Sequence, residues 1–273
     1  MHDPTLPYLL ECEQLQQSLN TPEILILCLG KREQYDQAHI PGARFLDHSR
    51  LNRGIPPANG LLPDIQEIEQ AFQSIGLHTA NHIVCYDDDA GTRAARMMWV
   101  LEAMGHNKLS YLNGGLLAWL GENRPVEFTD HPAEPSEWRA NPDPSVFADK
   151  HYVLSKIHQP GVKIVDARSP EEYTGQKSAS ARTGRIPGSV NLNWLDTIDN
   201  TNNRKLKSPK DLKQLLKQRG ISPEDEIIVH CQTHQRSSHS FMMLRSLGYK
   251  KLRGYAGSWS EWAADPDLPV ESG

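Results

Sequence analysis

Residues 227–248 read IIVHCQTHQRSSHSFMMLRSLG, and their order decides the fold. A β-branched run, Ile227, Ile228 and Val229, ends at His230 and Cys231. Four polar residues follow, then Arg236, two serines and an amphipathic segment. This is the pattern of a buried strand, a tight loop and a helix. It places a cysteine at the strand's C-terminal end with a helix N-terminus just beyond. Loop N–H groups and the positive end of the helix dipole then both face the sulfur, and such a thiol should ionise readily. Gln232, Thr233, His234 and Gln235 are too polar for a turn whose cysteine merely fills a core.

Outward from this stretch the sequence repeats itself. ILILCLGKREQY with HIPGARF in the first half corresponds to KIVDARSPEEY with RIPGSVN in the second. Each copy runs from an apolar strand to Tyr35 or Tyr173, then to the turn at 40–42 or 186–188. HIVCYDDDAGTRAARMMWVLEAMGH corresponds to EIIVHCQTHQRSSHSFMMLRSLGY, with Met97, Val100, Leu101 and Met104 matched by Ser240, Met243, Leu244 and Leu247 at helical spacing. The copies close with LNGGLLAW and YAGSWSEW, setting Trp119 opposite Trp262. Several matches in one order indicate duplication. The expected division is a first domain over 1–124, a linker over 125–145 and a second domain over 146–273. Pro125, Pro132, Pro135, Pro142 and Pro144 make the linker an extended connector.

Short apolar strands alternate with amphipathic stretches such as 65–74 and 209–219, so each domain is expected to be α/β, a mostly parallel sheet flanked by helices. Loops that carry chemistry in such sheets gather at the C-terminal strand ends. Aligning VCYD with IVHC puts Asp87 opposite Cys231, and the first loop reads as one residue longer before its helix. A carboxylate is no sulfur nucleophile, so the first copy is expected to be inactive.

Bulk properties narrow the class. The 273 residues carry 29 Lys plus Arg against 34 Asp plus Glu, so no positive field argues for nucleic acid. Cysteines 12, 28, 85 and 231 form no CxxC pair and no zinc spacing, and suit reduced thiols of a cytoplasmic protein. The first residues, MHDPTLPYLLECEQLQQ, lack a secretory pattern, and no run reaches the roughly 20 apolar residues that span a bilayer. No cofactor or metal is called for; the triplet Asp87–Asp89 reads as a solvated loop. Cys12, Cys28 and Cys85 lack the helix-start setting of Cys231 and are expected to be structural.

Together these motifs resemble the tandem-domain rhodanese family of sulfurtransferases, notably VDARSPEEY, the CQTHQRS loop, the paired Ile-Pro-Gly turns and YAGSWSEW. The resemblance implies two similar α/β domains, an inactive first half and a persulfide-forming cysteine in the second, a role that falls on Cys231. A Cys231 thiolate would take the outer sulfur of thiosulfate, release sulfite, and pass the sulfur to cyanide or another thiophile by ping-pong chemistry. Arg236 is the candidate cation for the donor's anionic end, with a loop salt bridge as its structural alternative. His234 is expected to bind the donor, shape the loop or lie solvated. Gln232, Thr233 and Gln235 are expected to supply backbone donors, and Trp194 an apolar wall or core packing. His230, Trp259 and Trp262 read as buried packing, and Asp166 with Arg168 as an internal ion pair.

The loop departs both from the Arg-x-x-Gly type loop common among thiosulfate enzymes and from the small Gly-Ser-Gly loop of mercaptopyruvate enzymes, and looks like that of certain bacterial thiosulfate enzymes. Glu171, Glu172 and Tyr173 stand where an arginine would hold a keto-acid carboxylate, though Arg182 or Arg185 could compensate. 3-Mercaptopyruvate is therefore the alternative donor. Delivery of the sulfur to a partner protein, by a persulfide carrier, is a further alternative. A non-catalytic binding module would not need Cys231, and cysteine phosphatases need a loop one residue longer. The chain is expected to act as a monomer, with no nucleic acid or membrane partner.

Overall fold

The computed structural model describes residues 6–272; the expected domain ends at 1–5 and 273 lie outside them. The chain divides into two compact units. The first comprises 1–51, 63–143 and 199–206, the second 52–62, 144–198 and 207–273.

In the first unit five strands lie in the order Leu9–Leu10, Leu109–Leu112, His82–Tyr86, Ile24–Cys28, Arg44–Phe45. Every pairing is parallel. In the second the order is Phe147–Ala148, Leu252–Tyr255, Glu226–His230, Val162–Asp166, Val190–Asn191, again all parallel. By order of appearance within each unit both sheets read 1-5-4-2-3. That identity is the duplication seen in three dimensions. The strands are nearly continuous apolar runs because helices cover both faces of a parallel sheet. All five residues of His82–Tyr86 are buried, and so are four of the five in Glu226–His230.

Helix Ile65–Ser74 has the expected bounds, opened by a capping box between Asp64 and Glu67. Helix Pro209–Gln218 stops one residue short of the expected end. It starts with Ser208 accepting from Asp211 N and Pro209 in the first turn, where proline's missing N–H costs nothing. The helices leaving the fourth strands, Thr92–Ala103 and Arg236–Ser246, bury most of their surfaces and fix where the preceding loops sit. Trp119, Trp259 and Trp262 are wholly buried, as packing of the closing helices requires.

The proline-rich stretch contains no helix or strand through 128–143 but is not a loose connector. Trp138 is buried with its ring 5.1 Å from Phe72, Ser136 N donates to Gln73 O, and Glu69 takes Arg139 and Ala140 N. Burying an indole offsets the entropy of ordering such a segment by a few kcal/mol.

Candidate active site

Cys231 is the first residue after the Glu226–His230 strand, and Asp87 the first after His82–Tyr86. Each following helix begins at the fifth residue from it, Arg236 and Thr92. The loops are therefore equally long, against the extra residue the sequence suggests. That residue is taken up within the helix, whose apolar face starts one position later.

The Asp87 loop shows what this backbone does to an anion. Oδ1 accepts from Asp89 N (3.0 Å) and Gly91 N (2.9 Å), Oδ2 from Arg93 N (3.0 Å) and Ala94 N (3.1 Å). Burial still pushes this carboxyl up, to about 6, against the pull of those N–H groups and Arg93. The loop is thus an anion cradle filled by its own carboxylate. In the second unit the same post carries sulfur. Among the described residues, the backbone N–H groups of Gln232, Thr233, Gln235 and Arg236 meet no acceptor. Orphan donors at a helix start are what a sulfur anion would require.

Cys231 is enclosed more tightly than the polar loop suggests, at 1% exposure. Its N–H donates to Ser258 Oγ (3.3 Å), and its carbonyl accepts from Trp259 N (2.9 Å). Ser258 is buried with φ +52°, a conformation a side chain seldom takes. Its hydroxyl donates to Tyr255 O (2.8 Å), which ties the strained turn to the strand beside Cys231.

His234 is also buried, so it is not a solvated loop histidine. Its backbone is left-handed, φ +60°, and its Nδ1 lies 2.7 Å from Ser237 Oγ. That contact joins the loop to the first turn of the following helix. Gln232 bonds Ser180 Oγ through Nε2 (2.8 Å) and takes Ser260 N on its carbonyl. Trp194 is half-buried with its ring edge-on to His239 at 5.6 Å.

Arg236 forms the salt bridge. Its guanidinium donates to both Glu172 oxygens, Nη1 at 2.6 Å and Nη2 at 2.9 Å. Burial alone would raise the Glu172 carboxyl, but Arg236 holds it down at about 2. Burial would likewise work against the charge of Arg236; the hydrogen-bonded Glu172 carboxylate outweighs it. Glu172 is itself fixed by the capping box of helix Pro170–Tyr173. Glu172, which stands where the resemblance would put a carboxylate-binding arginine, is thus the clamp on the loop's cation.

Beneath the loop, Arg168 binds Asp166 through Nε (3.0 Å) and Nη2 (2.6 Å), both residues buried, and lies 4.5 Å over the Trp259 ring. Its Nη2 also reaches Gly184 O (2.8 Å). His230, fully buried, sits with Nε2 3.8 Å from Asp166; burial drives it toward neutrality. Neither arginine proposed to compensate for Glu171 and Glu172 is at liberty. Arg182 donates to the carbonyls of Trp262, Ala263, Asp265 and Leu268, and Arg185 pairs with Glu271.

The other thiols are buried and held protonated. Burial raises Cys12 to about 12, with Glu122 adding to it, and Cys28 to about 11; Cys85 rises further. Contrary to the sequence reading, Cys12 does open a helix, Cys12–Gln16. Five residues carry too little dipole to offset its burial.

One contributor was missed in the sequence. Gly60 lies so close to the loop that a Cβ there would stand 2.3 Å from Thr233 O and 2.7 Å from Ala256 O. Nothing local in NGLLP at 59–63 reveals which backbone will pass it.

The chain belongs to the rhodanese-like domain family: the family model matches residues 11–122 and again 149–265. A thiosulfate sulfurtransferase of Azotobacter vinelandii is 40% identical over 269 residues, 98% of each chain. A 3-mercaptopyruvate sulfurtransferase of Mus musculus is 30% identical over 89% of this chain and 83% of its own. The sulfur carrier protein TtuD of Thermus thermophilus is 30% identical over 97% and 96%. Among solved structures, an anaerobic ergothioneine biosynthesis enzyme from Chlorobium limicola superposes with TM-score 0.87 over 97% of this chain and 70% of its own, at 21% identity, a likeness of fold. Among the described residues no helix is long and apolar enough to cross a membrane.

Proposed function

We propose that this protein is a thiosulfate sulfurtransferase whose second domain stores the transferred sulfur on Cys231. The carrying observation is the pairing of a cysteine with unoccupied backbone donors at the post where the first domain saturates a carboxylate. The Cys231 thiolate attacks the sulfane sulfur of thiosulfate. The S–S bond to the sulfonate breaks, sulfite leaves with its electron pair, and a Cys231 persulfide remains. Cyanide or a thiol then attacks the outer sulfur and restores the thiolate. Sulfite and the thiolate are both stable anions, so neither step needs a general acid. The loop N–H groups stabilise the charge that shifts along the sulfurs, and Arg236, its fork already taken by Glu172, adds only a partly neutralised cation at the loop's edge.

The 40% identity to a thiosulfate sulfurtransferase supports this donor. The engagement of Arg182 and Arg185 weighs against a keto-acid donor. A second reading, a carrier that hands sulfur to a partner protein, is favoured by the full-length likeness to a sulfur carrier. We place the protein in the cytoplasm, where four free thiols stay reduced.

Intact-mass spectrometry after incubation with thiosulfate tests the chemistry. The expected result is a gain of one sulfur that cyanide removes and that Cys231→Ala abolishes. A protein that gains nothing, or gains it equally without Cys231, sinks the proposal. Thiosulfate-to-cyanide turnover compared with 3-mercaptopyruvate turnover ranks the donors, and sulfur transfer to cell proteins in preference to cyanide would identify the carrier.

A further inference from the structure

The Ile-Pro-Gly turns read in the sequence as paired structural punctuation are preceded by different residues, His39 and Arg185. Their surroundings share a bridge to a glutamate, a tyrosine ring and a glycine N–H on the same carboxylate. Arg185 forms an antiparallel bridge with Glu271, pairs with its carboxylate, and lies 4.7 Å over the Tyr173 ring, while Gly188 N donates to Glu271 Oε2 (3.1 Å). His39 forms the same bridge with Glu127 and stacks on Tyr35 with centroids 3.8 Å apart, while Gly42 N donates to Glu127 Oε1. The second unit fills this place with a permanent cation. The first fills it with an imidazole, and adds a second one, His131, whose Nε2 stands 2.6 Å from Glu127 Oε1.

His39 is wholly buried, and both its ring nitrogens face oxygen. Nδ1 is 2.7 Å from Tyr35 O; Nε2 is 3.1 Å from Thr129 O and 3.6 Å from Glu127 Oε1. A neutral imidazole carries one N–H. If Nδ1–H donates to Tyr35 O, the shorter contact, the Nε2 lone pair points among oxygens, an arrangement that only a cation at that spot makes favourable. An imidazole anchored to a backbone carbonyl through one nitrogen, with the other turned toward a carboxylate and a second imidazole, is the usual setting of a metal ligand.

We propose that His39 Nε2, Glu127 Oε1 and His131 Nε2 form a binding site for a divalent first-row transition ion of the Zn²⁺ class, taking the place that the Arg185 guanidinium holds in the second unit. The three donor atoms lie within 4.8 Å of one another. Bonds of 2.0–2.2 Å to a tetrahedral zinc would separate its ligand atoms by about 3.3 Å, so the 2.6 Å pair of Glu127 and His131 must part by roughly 0.7 Å and the widest pair close by up to about 1.5 Å, movements within reach of the two half-exposed side chains. Two imidazoles and one carboxylate suit Zn²⁺ or its neighbours rather than Mg²⁺ or Ca²⁺, which prefer oxygen alone. Glu127 and His131 are 28% and 37% exposed, which gives the ion an entry path and leaves water the fourth position. The site cross-links residue 39 to the segment at 127–131 and thereby steadies the start of the proline-rich stretch. Its role is structural and stands apart from sulfur transfer.

Titrating Co²⁺ and Zn²⁺ into the full-length protein tests this. One equivalent should bind, with visible ligand-field bands of four-coordinate cobalt and no sulfur-to-cobalt charge-transfer band, which separates this site from the four thiols. His131→Ala, at a half-exposed side chain, should weaken binding by at least about tenfold while leaving the fold unchanged by circular dichroism. Glu127→Gln should do the same. Absence of stoichiometric binding overturns the proposal, as does a thiolate spectrum or undiminished affinity in both variants. So does a His39 imidazole shown by NMR to take up a proton in a protein that binds no metal; the cation of this place would then be an imidazolium.

Discussion

Asp87 and Cys231 occupy one topological post, each the first residue beyond the fourth strand of its sheet and five before the helix start. Asp87 gathers four backbone N–H groups. Asp87→Ala leaves all four without this acceptor, those of Gly91 and Ala94 buried, and the expected loss of stability is about 2–4 kcal/mol. Sulfur loading at Cys231 should persist in the folded variant. Denaturant melts and intact mass check the two halves of this prediction; an unchanged melt would show that the carboxylate does not organise its loop.

Arg236 and Glu172 make a two-pronged charge pair at the edge of the loop. Glu172→Gln keeps the shape, removes the charge and frees the guanidinium's attraction for anions. The expected result is a lower KM for thiosulfate with a stability loss of about 1–3 kcal/mol. Arg236→Lys keeps the charge but loses the fork, so kcat/KM should fall by roughly tenfold or more. Equal kinetics in both variants would remove Arg236 from any part in donor binding. Glu172, held down at about 2, adds stability in full above its ordinary value near 4.5 and gives it up as pH falls from there toward 2.

His239 is buried edge-on to Trp194, and burial lowers it from 6.5 to about 4. The folded state therefore binds fewer protons than the unfolded chain between those values. Its stabilising contribution is complete above pH 6.5 and is lost as pH falls toward 4, by about 3 kcal/mol. His239→Gln should remove that loss, so the variant gains on the parent as pH falls through this window. Parallel stability curves for the two proteins would contradict the assignment.

Gly60 touches Thr233 O and Ala256 O where any side chain would collide with main chain. Gly60→Ala must push the loop carbonyl aside. Sulfur transfer should drop severalfold or more in a protein that still folds, read as kcat/KM on thiosulfate. Unaltered turnover would mean that the loop yields at no cost.

The native thiols should also separate under an alkylating reagent near neutral pH. Cys12 and Cys28, raised to about 12 and about 11, and the still more strongly raised Cys85, are buried and protonated. Peptide mapping should find the first adduct on Cys231. Faster labelling of any of the other three would show that the loop fails to activate its sulfur.

Much of this architecture was legible beforehand because it is local and periodic. Strand, loop and helix around Cys231 follow from a β-branched run, a polar break and spacing at three and four residues. Internal repetition gave the paired sheets, since two similar sequences fold alike. The Asp166–Arg168 pair was readable because its partners lie two residues apart. The enclosure of Cys231, the inward turn of His234 and the contact of Gly60 with Thr233 were not legible. Each depends on which distant backbone arrives at the loop. The pairing of Glu172 with Arg236 was hidden for the same reason: its charge was plain, but its partner stands on another element.

By itself, then, the sequence determined the duplicated α/β plan and the residue set of the sulfur-bearing loop, because hydrophobic period and turn chemistry act over a few residues. Tertiary structure alone decided which charges met, how deeply the thiol lay, and that His39 came to face Glu127 and His131. Those outcomes turn on long-range packing, in which chain segments remote in sequence supply the burial and the opposing charges that no local pattern encodes.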